Sequence, residues 1–341
     1  MLVSADRGRT TNIDAHKVAR GSFFTTDDVW LNQPVREFLA FALLEQSVGG
    51  KPLVLDPFAG DGHMLDLVAE EFGVPVAGLD IANERWPKND SLKRIPNKGR
   101  AVILTNPPYL ANHSASRKGV SSIVASYFKN NAQANLYRIA LDRCLESADF
   151  VIAIIPETFL LSSYPKERLA LVSVIEGNLF EDTDAPAVVA CFGPAHSVGA
   201  ASVFVADRLI SSLPEILALR GASGRIGKPV VFNIPDGRIG LRAVDSANGR
   251  DPIQFMLAED FKYPPSRIKV SSRLMTYLDV PGVSDEDLVA FIGRANAELN
   301  RIREASEDLV LAPFKGNTKL GRRRRRLDYE LAREILFNAT T

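Results

Sequence analysis

PLVLDPFAGDG, residues 52–62, is the part of the sequence that decides the fold. Its apolar start predicts a short strand, because a continuous apolar run is typical of strands that are covered on both faces of a sheet. The glycines that follow predict a turn in which the backbone can approach a ligand closely. Residues 61–72 then have the apolar spacing of a helix, and residues 74–80 form a second apolar run. The sequence therefore predicts a strand–helix–strand unit.

The same alternation continues along the middle of the chain. Residues 100–105 predict a third strand, residues 134–147 a helix, and residues 150–156 a further apolar strand. We interpret residues 187–192 and 201–205 as a hairpin that closes the sheet. Because the strands are continuously apolar and helices separate them, we predict an α/β fold with a doubly wound, mostly parallel, Rossmann-like sheet.

The two ends of the chain differ from the middle. The first 21 residues are polar, and a helix is expected to begin near Thr26 and to end at Gly49. After residue 206, short Gly- and Pro-punctuated strands precede a helix over residues 285–305 and a final helix. We predict three parts, namely a flexible N-terminal arm over residues 1–21, an α/β domain over residues 22–205 and an α+β domain over residues 206–341.

Composition and charge exclude some classes of protein. The chain of 341 residues has 41 Lys and Arg against 41 Asp and Glu, so it is neither histone-like nor polyacidic. Residues 206–341 hold 22 Lys and Arg against 18 Asp and Glu, a mild excess that suits an anionic partner. Cys144 and Cys191 lack metal-ligand spacing, and no apolar run is long enough to cross a membrane. We expect a cytoplasmic protein without disulfide, metal or membrane segment.

Carboxylates follow the first two predicted strands. Asp56 ends the first strand, and Asp80 ends the second, 24 positions later. Ligands of open α/β sheets lie beyond the carboxyl ends of the strands, and an acidic residue at about this offset is typical of contacts to ribose hydroxyls. The pattern indicates a nucleoside-containing cofactor. The structural alternative for Gly60 and Gly62 is a helix-entry turn without a ligand.

The third predicted strand ends in Asn106-Pro107-Pro108-Tyr109. Consecutive prolines fix the backbone and leave its carbonyl groups free to accept hydrogen bonds, and Asn106 adds a further acceptor. Tyr109 offers a flat ring beside these acceptors. Two acceptors beside a ring suit a planar –NH2 group, such as the exocyclic amine of a nucleobase.

The glycine turn at residues 56–62, followed by Asn106-Pro107-Pro108-Tyr109, resembles the amino-group class of S-adenosylmethionine-dependent DNA methyltransferases. The order of the two motifs is most similar to adenine-N6 enzymes of the gamma arrangement, many of which belong to restriction–modification systems. The resemblance covers residues 22–205. It implies a class I methyltransferase fold, S-adenosylmethionine as cofactor, a flipped adenine in double-stranded DNA as substrate, and target recognition by residues 206–341. It also implies a cognate restriction endonuclease as a partner.

The resemblance further implies roles for individual residues. Catalysis falls to Asn106, Pro107, Pro108 and Tyr109, and the target base would stack on Tyr109 and Phe192. Thr26 stands where the family usually has proline, directly after the segment that touches the methionine part of the cofactor. The cofactor-binding positions are Phe24, Thr25, Asp56, Pro57, Phe58, Gly60, Gly62, Asp80, Ile81 and Asp90.

A run of five arginines lies near the end of the chain. Arg322, Arg323, Arg324, Arg325 and Arg326 are candidates for contacts to the phosphates of the DNA backbone. The alternative is a solvated charge run without a partner.

Three other functions stay open. Similar loops occur in enzymes that methylate RNA or a glutamine side-chain amide, although such protein methyltransferases resemble this chain only in its core. A catalytically silent DNA-binding subunit is a second alternative, which the intact Asn106-Pro107-Pro108-Tyr109 disfavours. Cytosine-N4 methylation uses the same amine chemistry, but that group of enzymes usually has Ser at the position of Asn106.

Overall fold

The computed structural model describes residues 28–96, 100–112, 115, 119, 121–129, 131–175, 186–194, 199–221, 230–319 and 323–340. The described chain divides into two compact units, one built on Ala42–Ile155 and the other on Asp27–Phe41 with Pro156–Thr341. This division does not follow the boundary predicted near residue 206 from the change in sequence pattern, and that boundary stays a prediction. The N-terminal arm predicted over residues 1–21 lies outside the described residues.

The first unit contains four parallel strands. Their order is β2-β1-β3-β4, and β1 pairs in register with β2 on one side and β3 on the other. All residues of β3 are buried, as are all but the last of β4, as expected for strands covered on both faces. The elements are β1 (Leu53–Asp56), α2 (His63–Phe72), β2 (Val76–Gly78), β3 (Ala101–Thr105), α3 (Ser121–Lys129), α4 (Leu136–Ser147) and β4 (Phe150–Pro156).

Helix α1, Gln33–Ser47, contains residues of both units and begins later than expected. The side chain of Asn32 accepts a hydrogen bond from the backbone N–H of Val35 at 3.4 Å, which is the geometry of an N-cap. Pro34 lies in the first turn, where a missing N–H group costs nothing. The helix therefore begins after the N-cap at Asn32 rather than near Thr26.

Strands β5 to β8 of the second unit correct the predicted hairpin. Strand β5 lies between β6 and β7, pairing antiparallel with β6 and parallel with β7, so residues 187–192 and 201–205 do not pair with each other. The hairpin is instead formed by β7 and β8, with the turn at residues 206–207. The elements are β5 (Leu169–Val174), β6 (Ala187–Phe192), β7 (Ser202–Val205), β8 (Arg208–Ser212) and α5 (Leu213–Ala218).

The rest of the second unit is α+β, as predicted. Four antiparallel strands pair in the order β11-β10-β12-β9, and β13 pairs antiparallel with β14. Short 3-10 helices occur at Glu157–Phe159 and Pro265–Arg267. The elements are β9 (Val231–Phe232), β10 (Ile239–Arg242), β11 (Gln254–Leu257), β12 (Met275–Asp279), α6 (Leu288–Ala305), β13 (Ala312–Asn317), β14 (Arg323–Arg326) and α7 (Tyr329–Asn338).

Parallel pairing predominates among strands β1 to β8, so the predicted α/β fold with a mostly parallel sheet is confirmed.

A small apolar cluster fixes the region after β3. It joins the chain beyond Tyr109 to helices α3 and α4 through Leu110, Ala115, Val124, Leu136 and Ile139. None of the helices in the described part of the chain is both long enough and apolar enough to cross a bilayer.

Candidate functional site

Asp56 connects the ends of β1 and β3. Its oxygen Oδ1 accepts hydrogen bonds from the Thr105 hydroxyl at 2.7 Å and from the backbone N–H of Phe58 at 2.9 Å. Burial penalises the ionised carboxyl and raises the pKa of Asp56 to about 7, although both hydrogen bonds oppose this rise. The glycine turn and the residue before Asn106 are therefore joined by one side chain.

Asp80 connects the glycine turn to the end of β2. Its oxygen Oδ2 accepts from the backbone N–H of Gly60 at 3.1 Å, while Oδ1 accepts from those of Ala82 and Asn83 at 2.7 and 2.8 Å. The N–H of Gly60 is thus bonded to Asp80. Since a carboxylate offers about four acceptor positions, the three bonds leave room for one more donor, such as a hydroxyl group.

Trp86 gives the glycines a structural role. Gly62 has φ of +87°, and a Cβ atom there would lie 2.6 Å from Cζ2 of Trp86. A Cβ atom on Gly78 would lie 2.4 Å from the same indole, whose Nε1 donates to the Gly60 carbonyl at 2.9 Å. Sequence reasoning missed Trp86; its only signal was a tryptophan soon after the end of a predicted strand.

Arg85 holds the segment after Asp80 against the start of α2. Its Nη1 donates to Asp66 Oδ2 at 2.9 Å and to the carbonyl of Asp61, and its guanidinium lies 4.5 Å from the Trp86 ring centroid. The hydrogen bond from Arg85 lowers the pKa of Asp66. Both side chains are exposed, so this ion pair contributes little to stability by itself.

The loop Asn106-Pro107-Pro108-Tyr109 begins directly after Thr105. Both prolines are buried, while Asn106 and Tyr109 are half-buried. The Tyr109 hydroxyl donates to the Ile154 carbonyl at 2.7 Å, and its ring meets Tyr137 edge-on with centroids 6.5 Å apart. Burial raises the pKa of Tyr109 well above its usual value. The hydroxyl and the edge contact together fix the position of the Tyr109 ring.

Asp90, predicted to read the cofactor's adenine, lies in a polar cluster with α3. Its Oδ2 accepts from the Tyr127 hydroxyl at 3.0 Å and lies 2.9 Å from the Lys93 ammonium. Ile81 is exposed beside Asp80, Pro57 is buried, and Phe58 is half-buried. Phe24 and Thr25 lie outside the described residues. The structure thus brings Asp56, Asp80 and the turn between them together, and leaves the roles of the other positions as predictions.

Phe192 lies in the core of the second unit. Only 1% of its surface is exposed, and its ring meets that of Phe159 with centroids 6.1 Å apart at 75°. A base could stack on this ring only if neighbouring side chains moved.

Two of the predicted phosphate-binding arginines are used inside the second unit. Arg325 is 5% exposed and forms an ion pair with the buried Glu157, so its guanidinium cannot reach a phosphate in this structure. Arg324 lies over the Phe314 ring at 4.9 Å, and its Nε donates to the carbonyl of Asp245 at 2.9 Å. The described part of the run, residues 323–326, is paired with β13 as strand β14.

The remaining arginines of the run differ in position. Arg323 and Arg326 are half-buried in β14, where Arg323 pairs with Asn317 and Arg326 with Ala312. Arg322 lies outside the described residues.

Among the described residues, no group of three or more His, Cys, Asp or Glu side chains could hold a metal ion. Burial raises the pKa of both Cys144 and Cys191, which keeps these thiols protonated.

Comparison with known proteins gives distant structural similarities only. No protein-family model and no curated protein sequence matches the chain. Among solved structures, the type IIG restriction endonuclease BpuSI is 18% identical with a TM-score of 0.39, covering 55% of this chain and 27% of that one. The methyltransferase subunit of a type I restriction–modification system from Streptococcus thermophilus is 17% identical with a TM-score of 0.39, covering 61% and 55%.

A third structure, a complex of DrdV with DNA, is 14% identical with a TM-score of 0.38, covering 59% of this chain and 29% of that one. The chain therefore spans between about a quarter and about half of the length of these three proteins. At these identities and TM-scores, the similarities assign neither a family nor an activity to the chain.

Proposed function

We propose that this chain transfers the methyl group of S-adenosylmethionine to the N6 amine of adenine in double-stranded DNA. The observation that carries the proposal is the hydrogen bond between Asp56 and Thr105. It places the glycine turn and the Asn106-Pro107-Pro108-Tyr109 loop at the carboxyl ends of two adjacent parallel strands, which is where ligands of such sheets bind. A nucleoside cofactor at the glycine turn and an amine at the Asn106-Pro107-Pro108-Tyr109 loop would then lie close together at this edge of the sheet.

The residues of this edge fit S-adenosylmethionine. Asp80 retains one acceptor position for a ribose hydroxyl, and the turn over residues 56–62 has the glycines that a close backbone approach requires. Ile81 and Asp90, with Phe24 and Thr25, complete the proposed cofactor residues. When bound, the cofactor supplies an electrophilic methyl group on a sulfonium.

The loop residues act on the amine of the base. The side-chain oxygen of Asn106 and the carbonyl of Pro107 would accept hydrogen bonds from its two N–H groups, which localises the nitrogen lone pair and orients it toward the methyl carbon. The nitrogen–carbon bond forms as the carbon–sulfur bond breaks, and the methylated amine loses one proton to solvent. Pro107 and Pro108 hold these acceptors in place, and the anchored Tyr109 ring supports the base by stacking. A base inside a duplex cannot present its amine in this way, so the target adenine must be flipped out.

The proposal extends to a restriction–modification system, in which an endonuclease cuts the same site when it is unmethylated. It rests for this step on the resemblance of the two motifs to such methyltransferases. Asn106 favours adenine over cytosine because related cytosine-N4 enzymes usually carry Ser there. Methylation of RNA or of a protein amide would use the same amine chemistry and is the main competing function.

The test is Asn106→Ala, with Asn248→Ala in an exposed turn as the matched control. We expect the first variant to lose at least about 100-fold in methyl transfer to duplex DNA, since an acceptor that aligns the nucleophile is removed, and to bind the cofactor normally. Labelled cofactor and nucleoside analysis identify the product, and calorimetry measures cofactor binding. Unchanged turnover, or label only in RNA, protein or cytosine, would refute the proposal.

A further inference from the structure

A strongly basic segment lies between β11 and β12 of the second unit. Residues 261–278 contain Lys262, Arg267, Lys269 and Arg273 but no Asp or Glu. All four cationic side chains are exposed. We refer to residues 262–274 as the basic loop. The basic loop is distinct in sequence from the arginine run of β14.

The charges of the basic loop are not neutralised by neighbours. In the part of the chain that the structure describes, Lys262, Arg267 and Lys269 form no ion pair. Arg273 bonds to the carbonyls of Val270 and Ser272 rather than to a carboxylate. The nearest acidic residues along the chain are Glu259 and Asp260 on one side and Asp279 on the other, and Asp279 is held by Arg238.

A stack of aromatic rings and guanidinium groups lies beside the loop. The rings of Phe232 and Tyr329 stack with centroids 4.2 Å apart and planes at 9°. Arg273 lies over Tyr329 at 5.5 Å, and Arg333 lies over Phe232 at 5.0 Å. Both arginines are exposed, so each guanidinium stays accessible to solvent while it lies over a ring.

Asn233 fixes the backbone of the basic loop. It adopts the left-handed conformation with φ of +62°, which asparagine tolerates better than most residues. Its Nδ2 donates to the Val270 carbonyl at 2.9 Å, and its Oδ1 accepts from the Thr276 and Tyr329 hydroxyls at 2.8 and 3.0 Å. The Ser272 carbonyl lies 2.8 Å from the same Tyr329 hydroxyl, so the single hydroxyl proton is shared between the two acceptors. The loop is therefore held in shape before any ligand arrives.

The loop has the composition of a surface that meets a polyanion. Its cations are exposed and unpaired, whereas Arg324 and Arg325 of β14 are used in internal contacts. Cations spread along a preformed loop suit successive phosphates of a nucleic-acid strand.

We infer that the basic loop, together with Arg333, binds the phosphate backbone of duplex DNA. The inference rests on the proposed function for the choice of DNA as the polyanion. Binding through phosphates positions the duplex and does not by itself read its sequence. The loop thus supplies an electrostatic contact of the C-terminal region that does not depend on Arg324 or Arg325.

The experiment compares two triple variants of the full chain. Lys262→Gln with Arg267→Gln and Lys269→Gln removes three charges from the basic loop, and Lys51→Gln with Arg250→Gln and Arg301→Gln removes three exposed charges elsewhere. Affinity for a mixed-sequence duplex is measured against salt concentration. Since each phosphate contact contributes about 0.9 to the slope of log K against log salt, the loop variant should lose about 2 to 3 in slope and at least about 10-fold in affinity. The control variant should keep the wild-type slope.

An unchanged slope in the loop variant, an equal loss in both variants, or no binding of duplex DNA by the wild-type chain would overturn the inference. A preference for RNA or for anionic vesicles over duplex DNA that is lost in the loop variant would do the same. If the triple variant unfolds, Lys262→Gln and Lys269→Gln alone should each lower the slope by about 0.9. Methyl transfer is assayed separately, so DNA binding through the loop without transfer would count against the proposed function only.

Discussion

Asp56 links two loops through one oxygen atom, and its environment makes it unusual among aspartates. Burial disfavours the ionised form more than the hydrogen bonds from Thr105 and Phe58 favour it, so its pKa is raised from 3.8 to about 7. Between these two values the folded chain binds a proton that the unfolded chain has released. The contribution of Asp56 to stability therefore falls as the pH rises from 4 to 7.

Asp56→Asn should remove this pH dependence. The Asn oxygen can still accept from Thr105 and Phe58, but the residue no longer ionises. A pKa difference of about three units corresponds to about 4 kcal/mol, so the variant should gain up to about that much over the wild type between pH 4 and pH 8. Urea unfolding at several pH values measures the difference.

The companion variant is Thr105→Val, which removes a hydrogen bond that lowers the pKa of Asp56 and should extend the pH-dependent loss upward. Parallel stability curves for wild type and Asp56→Asn would contradict the raised pKa.

Polar residues at the ends of predicted strands could be identified from the sequence as candidate site residues, because strand and turn signals are local. Asp56, Asp80 and Asn106 were placed at the same sheet edge on this basis, and the hydrogen bonds of Asp56 and Asp80 agree with that placement. Trp86 and Thr105 could not be found, since their roles depend on which residues pack across from them.

The turn between β1 and α2 depends on both backbone conformation and packing. Gly62 has φ of +87°, in the left-handed region that favours glycine, and it faces the Trp86 indole. Gly50, in contrast, has no atoms within 4 Å of the position that a Cβ would occupy. The two glycines thus form a matched pair for substitution.

Gly62→Ala should destabilise the chain by about 2 to 4 kcal/mol, from left-handed strain plus overpacking against Trp86. Gly50→Ala should change stability by no more than about 0.5 kcal/mol. Combining Gly62→Ala with Trp86→Leu should cost less than the sum of the two single changes, because the smaller side chain relieves the contact. Denaturant midpoints measure all four variants, and strict additivity would show that Trp86 does not cause the strain.

Elements with strong local patterns were predicted well, and pairings between distant elements were not. Strands β1, β3 and β4 are continuous apolar runs, so their sequence alone indicates burial. Strand β5 escaped prediction because LALVSV directly continues a polar segment, and its insertion between β6 and β7 made the expected hairpin wrong. Which strands become neighbours is decided by packing that no local pattern records.

Within the second unit, a buried ion pair joins Glu157 and Arg325, which are 168 positions apart in the sequence. Both side chains are almost completely buried, and the Glu157 oxygen Oε2 has no hydrogen-bond partner among the described residues. A buried pair of this kind costs desolvation, so removal of one partner leaves an uncompensated charge.

Arg325→Met should therefore destabilise the chain by about 3 to 5 kcal/mol. Arg325→Met combined with Glu157→Leu should be more stable than Arg325→Met alone, since no charge then stays buried. Arg301→Met, which breaks the exposed pair with Glu298, should cost less than about 1 kcal/mol and serves as the control. Thermal or urea unfolding measures the series; equal losses for Arg325→Met and Arg301→Met would argue against a buried charge pair.

The same pair bears on any attempt to dissect the protein. A fragment that stops at residue 205 would contain both loops, yet its Glu157 carboxylate would lack the cation that compensates it. We expect this unpaired carboxylate to impair the folding of the fragment. Activity assays on isolated pieces would then report misfolding, and the intact polypeptide is the proper starting material.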